Sequence, residues 1–350
     1  MNRIACNFCL IIALGFSVSC TSSGSSGTGG SGGTGDSGGS GGSAGTGGTD
    51  VTAIIDAMVA SVDSARYEAD LNSVAGVRND GSQAWQEAQD FCAERLTELG
   101  FDIELHDYGT GVNVIGTLVG TSDEQIIVSG HYDAVSDCEG ADDNASGVAG
   151  ALEAARALSV AEFERTLVVV CWDEEELGLL GARAYADRAI QQGTEIAGMY
   201  SLDMIGYKSD EPNSQLVPPG LDLLFPDVTA MVEANEFRGD FIAIVANEAS
   251  RALNDAFERY ADGVELPWIE LEVPDALLNI PAVSDLLRSD HAPFWAAGYP
   301  GILLSDTANF RHPYYHCVGG RDTADPLDTD FAVKIIKSLV GATATELGVQ

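Results

Sequence analysis

Seven side chains of two chemical types stand out in this sequence: His131, Asp133, Asp143, Glu175, Glu176, Asp203 and His316. His131 and Asp133 lie two residues apart in Val128-Ser-Gly-His-Tyr-Asp133, and a second acidic run, Asp142-Asp143-Asn144, follows. Imidazoles among carboxylates, without clustered thiolates, form the donor set of a catalytic site for zinc or a similar divalent ion. The carboxylates are too many for one zinc, whereas two ions sharing a bridging carboxylate would use them all. Taken alone, the first stretch reads as a polar surface loop. What marks it is that matching pieces recur at the ends of later apolar runs.

Those runs are the elements that must position the site. Gln125–Ser129 and Arg165–Trp172 read as buried strands, and the second leads straight into Asp173-Glu-Glu-Glu176. Gly198–Ile205 is a third strand, carrying Asp203 near its end, and Pro300–Ser305 is a last one. Asp102–Tyr108 and Val112–Val119 form a hairpin across Gly109-Thr-Gly111. Phe241–Ala246 and Trp268–Val273 complete the strands. Helical spacing runs through Val51–Ala65, Gln83–Leu99 (closed by Gly100), Val148–Leu158, Glu248–Ala261 and Asp328–Leu347. Ser209–Asp227 is Pro/Gly-rich and reads as a rim loop. Alternating strands and helices imply an α/β fold with three α/β/α layers around a mixed, mostly parallel sheet.

The 350-residue chain carries a formal charge of −37. Residues before 50 hold one acid, Asp36, and one base, Arg3, so the excess sits on the folded part. Such a balance excludes nucleic acid and an anionic membrane surface as partners. Residues 1–19 read as a secretory signal peptide with Arg3 before a short apolar run. Ser17-Val-Ser-Cys20 resembles a lipoprotein cleavage site, with Ser17 where leucine is usual, so Cys20 is the expected lipid anchor. Residues 20–49 are a Gly/Ser-rich tether, and 50–350 form one catalytic domain. The expected location is a bacterial membrane surface, or the exterior if cleavage is ordinary.

Five separated pieces, in order, resemble the di-zinc aminopeptidases of metallopeptidase family 28, from about Asp50 to the C-terminus. They are Gly130-His-Tyr-Asp133, Gly140-Ala-Asp-Asp-Asn-Ala-Ser-Gly147, Glu175-Glu-Leu-Gly-Leu179, Leu202-Asp-Met204 and Tyr314-Tyr-His316. The resemblance implies the zinc exopeptidase (phosphorylase/hydrolase-like) fold and two zinc ions. It gives His131 and Asp203 to one ion, Glu176 and His316 to the other, and Asp143 to both. Asp133 would fix the His131 tautomer and Glu175 would be the general base. Arg288, in Arg288-Ser-Asp-His291, and Tyr315 match candidates for steadying the oxyanion. The implied activity is removal of N-terminal residues from peptides with a free N-terminus, by a monomer that meets the membrane only through Cys20.

Of the remaining residues, Asp142 reads as a turn residue, His106 and His312 as surface histidines, and His291 as either pocket-lining or structural. Asp173 and Glu174 are excluded from the pair only by register against Leu177-Gly178. With Cys6 and Cys9 in the signal and Cys20 lipidated, Cys92, Cys138, Cys171 and Cys317 remain. Cys138 precedes Asp143 and Cys317 follows His316. If those ligands share a metal, Cys138 and Cys317 pair as a disulfide, and Cys171 is a buried thiol. Alternatives of the same fold are a one-zinc glutaminyl cyclase and a carboxypeptidase, the latter needing a basic pocket. A non-catalytic receptor would be expected to lack ligands that are present here.

Overall fold

The computed structural model describes residues 50–350, so the signal peptide, the tether and Cys20 lie outside the described residues. The folded part opens with α1 (Val51–Ala60). The helix expected to reach Ala65 stops at Ala60 because the Asp63 carboxylate accepts the N–H groups of Ala65 and Arg66, starting α2 (Ser64–Val74). After α3 (Gln83–Glu98), the chain turns through Gly100 at φ +86° into β1 (Asp102–Asp107), which pairs with β2 (Val112–Leu118) as the expected hairpin. Next come β3 (Gln125–His131), α4 (Gly147–Leu158), β4 (Thr166–Trp172), α5 (Leu180–Gln192) and β5 (Ile196–Leu202).

The expected rim loop is loop only in part, because α6 (Leu221–Leu224) and α7 (Pro226–Ala234) occupy its end and continue beyond it. Then follow β6 (Ile242–Asn247), α8 (Arg251–Gly263), β7 (Trp268–Val273), α9 (His291–Ala297), β8 (Ile302–Ser305) and α10 (Thr329–Leu347). Among the described residues, no helix is long and apolar enough to cross a membrane.

The eight strands form one sheet in the order β1-β2-β4-β3-β5-β8-β6-β7. The β3–β4, β3–β5, β5–β8 and β6–β7 pairs are parallel and the others antiparallel. One face packs Ile126, Val128, Val169, Leu202 and Leu304 against helices that include α4 and α10. The other packs Ile127, Val170, Trp172 and Met199 against α5 and Phe294 of α9. This is the three-layer arrangement. Because β3, β4 and β5 run parallel, their carboxyl ends share one edge. His131 pairs with Trp172, and Ser129 with Ser201, so His131, the Asp173–Glu176 turn and Asp203 emerge side by side. Two glycines permit the close approach of β3 to α4: a Cβ at Gly130 would sit 2.8 Å from the Gly147 carbonyl carbon.

Arg78 ties this edge to the helical layer. It is fully buried, and its guanidinium donates to the carbonyls of Val74, Gly76, Tyr132, Glu139 and Gly140 at 2.8–3.1 Å. One side chain thereby joins the end of α2 to the end of β3 and to the loop before Asp143. Replacing it leaves three buried and two partly buried carbonyls without that donor. Arg78→Met is expected to lower unfolding free energy by more than about 3 kcal/mol, read from denaturant midpoints. A shift below about 1 kcal/mol would contradict the role.

Candidate metal centre

Asp143 lies in an irregular turn, Ala141–Ser146, where backbone angles leave the helical region at Asp143 and Asn144. Three side chains hold this turn. Asn144 donates to the Leu202 carbonyl at 2.8 Å and accepts the N–H groups of Gly147 and Met204 at 3.0 and 3.1 Å, fixing the turn against the end of β5. Asp322 accepts the N–H groups of Asp142 and Asp143 at 3.0 Å each. Ser146 accepts the Ile205 N–H at 3.0 Å.

The two carboxylate oxygens of Asp143 then face opposite ways. Oδ1 lies 3.4 Å from His131 Nε2, which is 3.7 Å from Asp203 Oδ1. Oδ2 lies 3.3 Å from His316 Nε2, which is 3.3 Å from Glu176 Oε2. Donors bound to zinc at about 2.0–2.1 Å in a tetrahedron are separated by about 3.3 Å, so these spacings fit such an ion on each side. Donor atoms of His131, Glu175 and Asp203 lie within 4.8 Å of one another, as do those of Asp143, Glu176 and His316. His131 Nε2 and Glu176 Oε1 are buried without a hydrogen-bond partner, which marks them as donors awaiting a cation.

Electrostatics point the same way. Burial pushes the Glu176 carboxyl up to about 7 and the Glu175 carboxyl well above the usual carboxylate range. Burial would depress His316, yet its hydrogen bonds to the Asp143 and Glu176 carboxylates hold it up at about 9. Burial likewise opposes ionisation of Asp143, but the two imidazoles hold it below the ordinary range. The cluster gathers more carboxylates than imidazoles, the donor chemistry that suits a divalent cation.

Asp133 faces His131 Nδ1 at 3.3 Å, and its two oxygens accept the N–H groups of Glu175 and Glu176 at 3.1 Å. One carboxylate therefore orients both an imidazole and the Glu175–Glu176 turn. The disulfide between Cys138 and Cys317 closes the far side, as expected. It joins the loop before Asp143 to the residue after His316, where both His316 (φ 54°) and Cys317 (φ 57°) are left-handed. Cys92 and Cys171 are buried free thiols.

A cavity of about 340 Å³ opens on Asp143, Glu175, Glu176, Asp203 and His316. Its other wall is apolar: Leu221 from α6, Leu286, and Ala243, Val245, Leu271 and Leu303 from one face of β6, β7 and β8. Arg288 and Tyr315 lie in it together, Arg288 Nη2 donating to the Tyr315 hydroxyl at 2.7 Å. All nine residues singled out in the sequence therefore meet in or around one site.

Other expectations need correcting. His312 is buried, not on the surface; its Nδ1 accepts the Tyr314 N–H, and Nε2 lies 3.7 Å from Asp322. His291 is structural, its Nε2 donating to the Leu286 carbonyl at 2.9 Å against the edge of Trp295. Asp142 is the turn residue expected, and a fully buried one that accepts the Gly206 N–H. Asp173 accepts from Trp85 Nε1 and Val112 N–H, and Glu174 from Thr110, so neither competes with Glu175. Arg78, Asn144 and Asp322 were not singled out. Asn144 sits inside the acidic motif, but Arg78 and Asp322 lie in loops without pattern. Replacing both Cys138 and Cys317 by serine is expected to weaken metal retention about 10–100-fold, read by competition with a chelator. Unchanged retention would remove the brace from the account.

Comparisons with known proteins place the chain in a family. The profile of peptidase family M28 matches residues 113–342. The chain is 31% identical to the Escherichia coli protein YfbL over 61% of this chain and 65% of that one. It is 25% identical to a "probable leucine aminopeptidase 1" of Trichophyton verrucosum over 82% of this chain and 75% of that one. The crystal structure of the Legionella pneumophila LapA aminopeptidase shares the fold, with TM-score 0.66 and 16% identity over 85% of this chain and 75% of that one. The chain spans 65% of YfbL and 48% of a "probable zinc metalloprotease" of Leptosphaeria maculans, less than two thirds of either. The site geometry and the match across most of the folded part lead to one statement: this chain belongs to peptidase family M28.

Proposed function

We propose that the protein is a two-zinc aminopeptidase that removes an apolar residue from the free N-terminus of a peptide. The observation that carries this reading is Asp143, whose two oxygens face two separate donor sets at one end of an apolar cavity. In this assignment His131 and Asp203 would hold one ion, Glu176 and His316 the other, and Asp143 would serve both. The ions would supply Lewis acidity at the peptide carbonyl and a lowered pKa for the attacking water.

The protein's own groups do the rest. Glu175, beside the donor sets but left out of this ligand assignment, takes the attacking water's proton on its carboxylate and returns it to the leaving amine. Asp133 keeps the His131 ring oriented and holds the backbone from which Glu175 projects. The Tyr315 hydroxyl donates to the oxygen that gains charge as the carbonyl is attacked. The apolar wall of β6, β7, β8 and α6 receives the first side chain and excludes water around it. The carboxylate-rich end suits an ammonium terminus better than a carboxylate, which favours the aminopeptidase over the carboxypeptidase.

The disulfide fits an oxidising compartment, in keeping with an exported monomer anchored by a lipid on Cys20. Loss of palmitate labelling and of membrane association in a Cys20→Ala variant would support the anchor; unchanged fractionation would remove it.

Glu175→Gln is expected to retain the metals and lose about 10²–10⁴ in kcat. Near-normal turnover in that variant would exclude Glu175 as the base. Acetylating the substrate amine is expected to abolish cleavage, and hydrolysis of blocked peptides at an undiminished rate would contradict an exopeptidase acting on free N-termini.

A further inference from the structure

Among the described residues, Arg288 is the only lysine or arginine lining the cavity, in a chain with 17 lysines and arginines against 54 acids. A cation in that place could meet the substrate directly. Its contacts say otherwise. Nη1 faces Asn309 Oδ1 at 3.0 Å and Asp285 Oδ1 at 3.3 Å. Nη2 donates to the Tyr315 hydroxyl at 2.7 Å, and the guanidinium carbon stands 5.6 Å from the centre of the Tyr315 ring. Each terminal nitrogen thus has a protein partner.

Tyr315 is constrained from a second side. Its ring stacks on His316, with centroids 3.7 Å apart and planes 23° apart. Stacking sets the plane of the ring. A phenol hydrogen lies close to that plane, on one side of the oxygen or the other. A donor already on the oxygen occupies one lone pair and leaves the hydrogen to turn away from it. With Arg288 anchored by Asn309 and Asp285, the Tyr315 O–H has one favourable direction, away from the guanidinium.

We propose that Arg288 is a positioning residue that acts through Tyr315: it holds the phenol oxygen by a hydrogen bond and so aims the Tyr315 hydroxyl at the reacting carbonyl, without itself touching the substrate. This rests on the aminopeptidase reading above. A nearby positive charge also makes the phenol a stronger donor. The arrangement uses one arginine to orient a neutral donor.

The test is a double-mutant cycle on the metal-loaded protein with leucine anilide, using Arg288→Met, Tyr315→Phe, the double variant and Arg288→Lys, with Tm and metal content recorded for each. Tyr315→Phe is expected to lose about 10²–10³ in kcat. Arg288→Met is expected to lose about 10-fold or more in kcat with KM nearly unchanged, as for an interaction made only in the transition state. In the Tyr315→Phe background the arginine substitution is expected to cost nothing further, and Arg288→Lys, which can still donate to the phenol, is expected to recover part of the loss. The same cycle, read as affinity for leucine phosphonic acid (a tetrahedral mimic), is expected to show the same non-additivity. Multiplicative losses in the two backgrounds, or a loss confined to KM, would overturn the inference while leaving the aminopeptidase intact. A wild-type protein that loads metal but releases no amine would overturn the activity reading, and this inference with it.

Discussion

The structure depends on holding one carboxylate so that its two oxygens serve two donor sets at once. Asp143 does this from neither a regular helix nor a strand. The chain instead breaks regular structure at Ala141–Ser146 and fixes the turn through unlike attachments. Asn144 fixes it to the end of β5, Asp322 takes its N–H groups, Arg78 gathers the carbonyls before it, and the disulfide carries it to His316. Four attachments from distant parts of the sequence converge on residues 138–146. Buried negative charge at this density is costly without cations. The scaffold is therefore organised to keep acids together that would otherwise move apart.

The sheet supplies the second half of the design. Its parallel centre delivers His131, Glu175, Glu176 and Asp203 to one edge. The antiparallel pairing of β8 with β6 brings a further strand pair beside them, and one face of that pair is left as cavity wall. Chemistry and side-chain recognition thus sit on adjacent parts of one sheet, the first on strand ends and the second on a strand face. Arg288 and Tyr315 stand where the two meet.

Much of this was legible in the sequence. Strands β3, β4 and β5 are short apolar runs that can only be buried, and the polar residues closing them announce an active edge. The candidate ligands were legible through five separated pieces whose order resembles that of the family. The disulfide followed once Asp143 and His316 were placed on the same metal. What stayed hidden depends on tertiary context. Asp63 breaks the first helix by capping the second, a choice that apolar periodicity does not reveal. His312 looks like a loop histidine and is buried by Tyr207 and Asp322. Arg78 and Asp322 carry charge in unpatterned loops, so their burial is set by partners some 60 and 180 residues away.

The most direct test of the account is a zinc titration into metal-free protein, following leucine-anilide hydrolysis and bound metal in the same samples. The account predicts that activity reaches its plateau only as the second equivalent binds, because Asp143 shapes both sites together. Full activity at one equivalent, with no second ion retained, would contradict a shared two-ion centre.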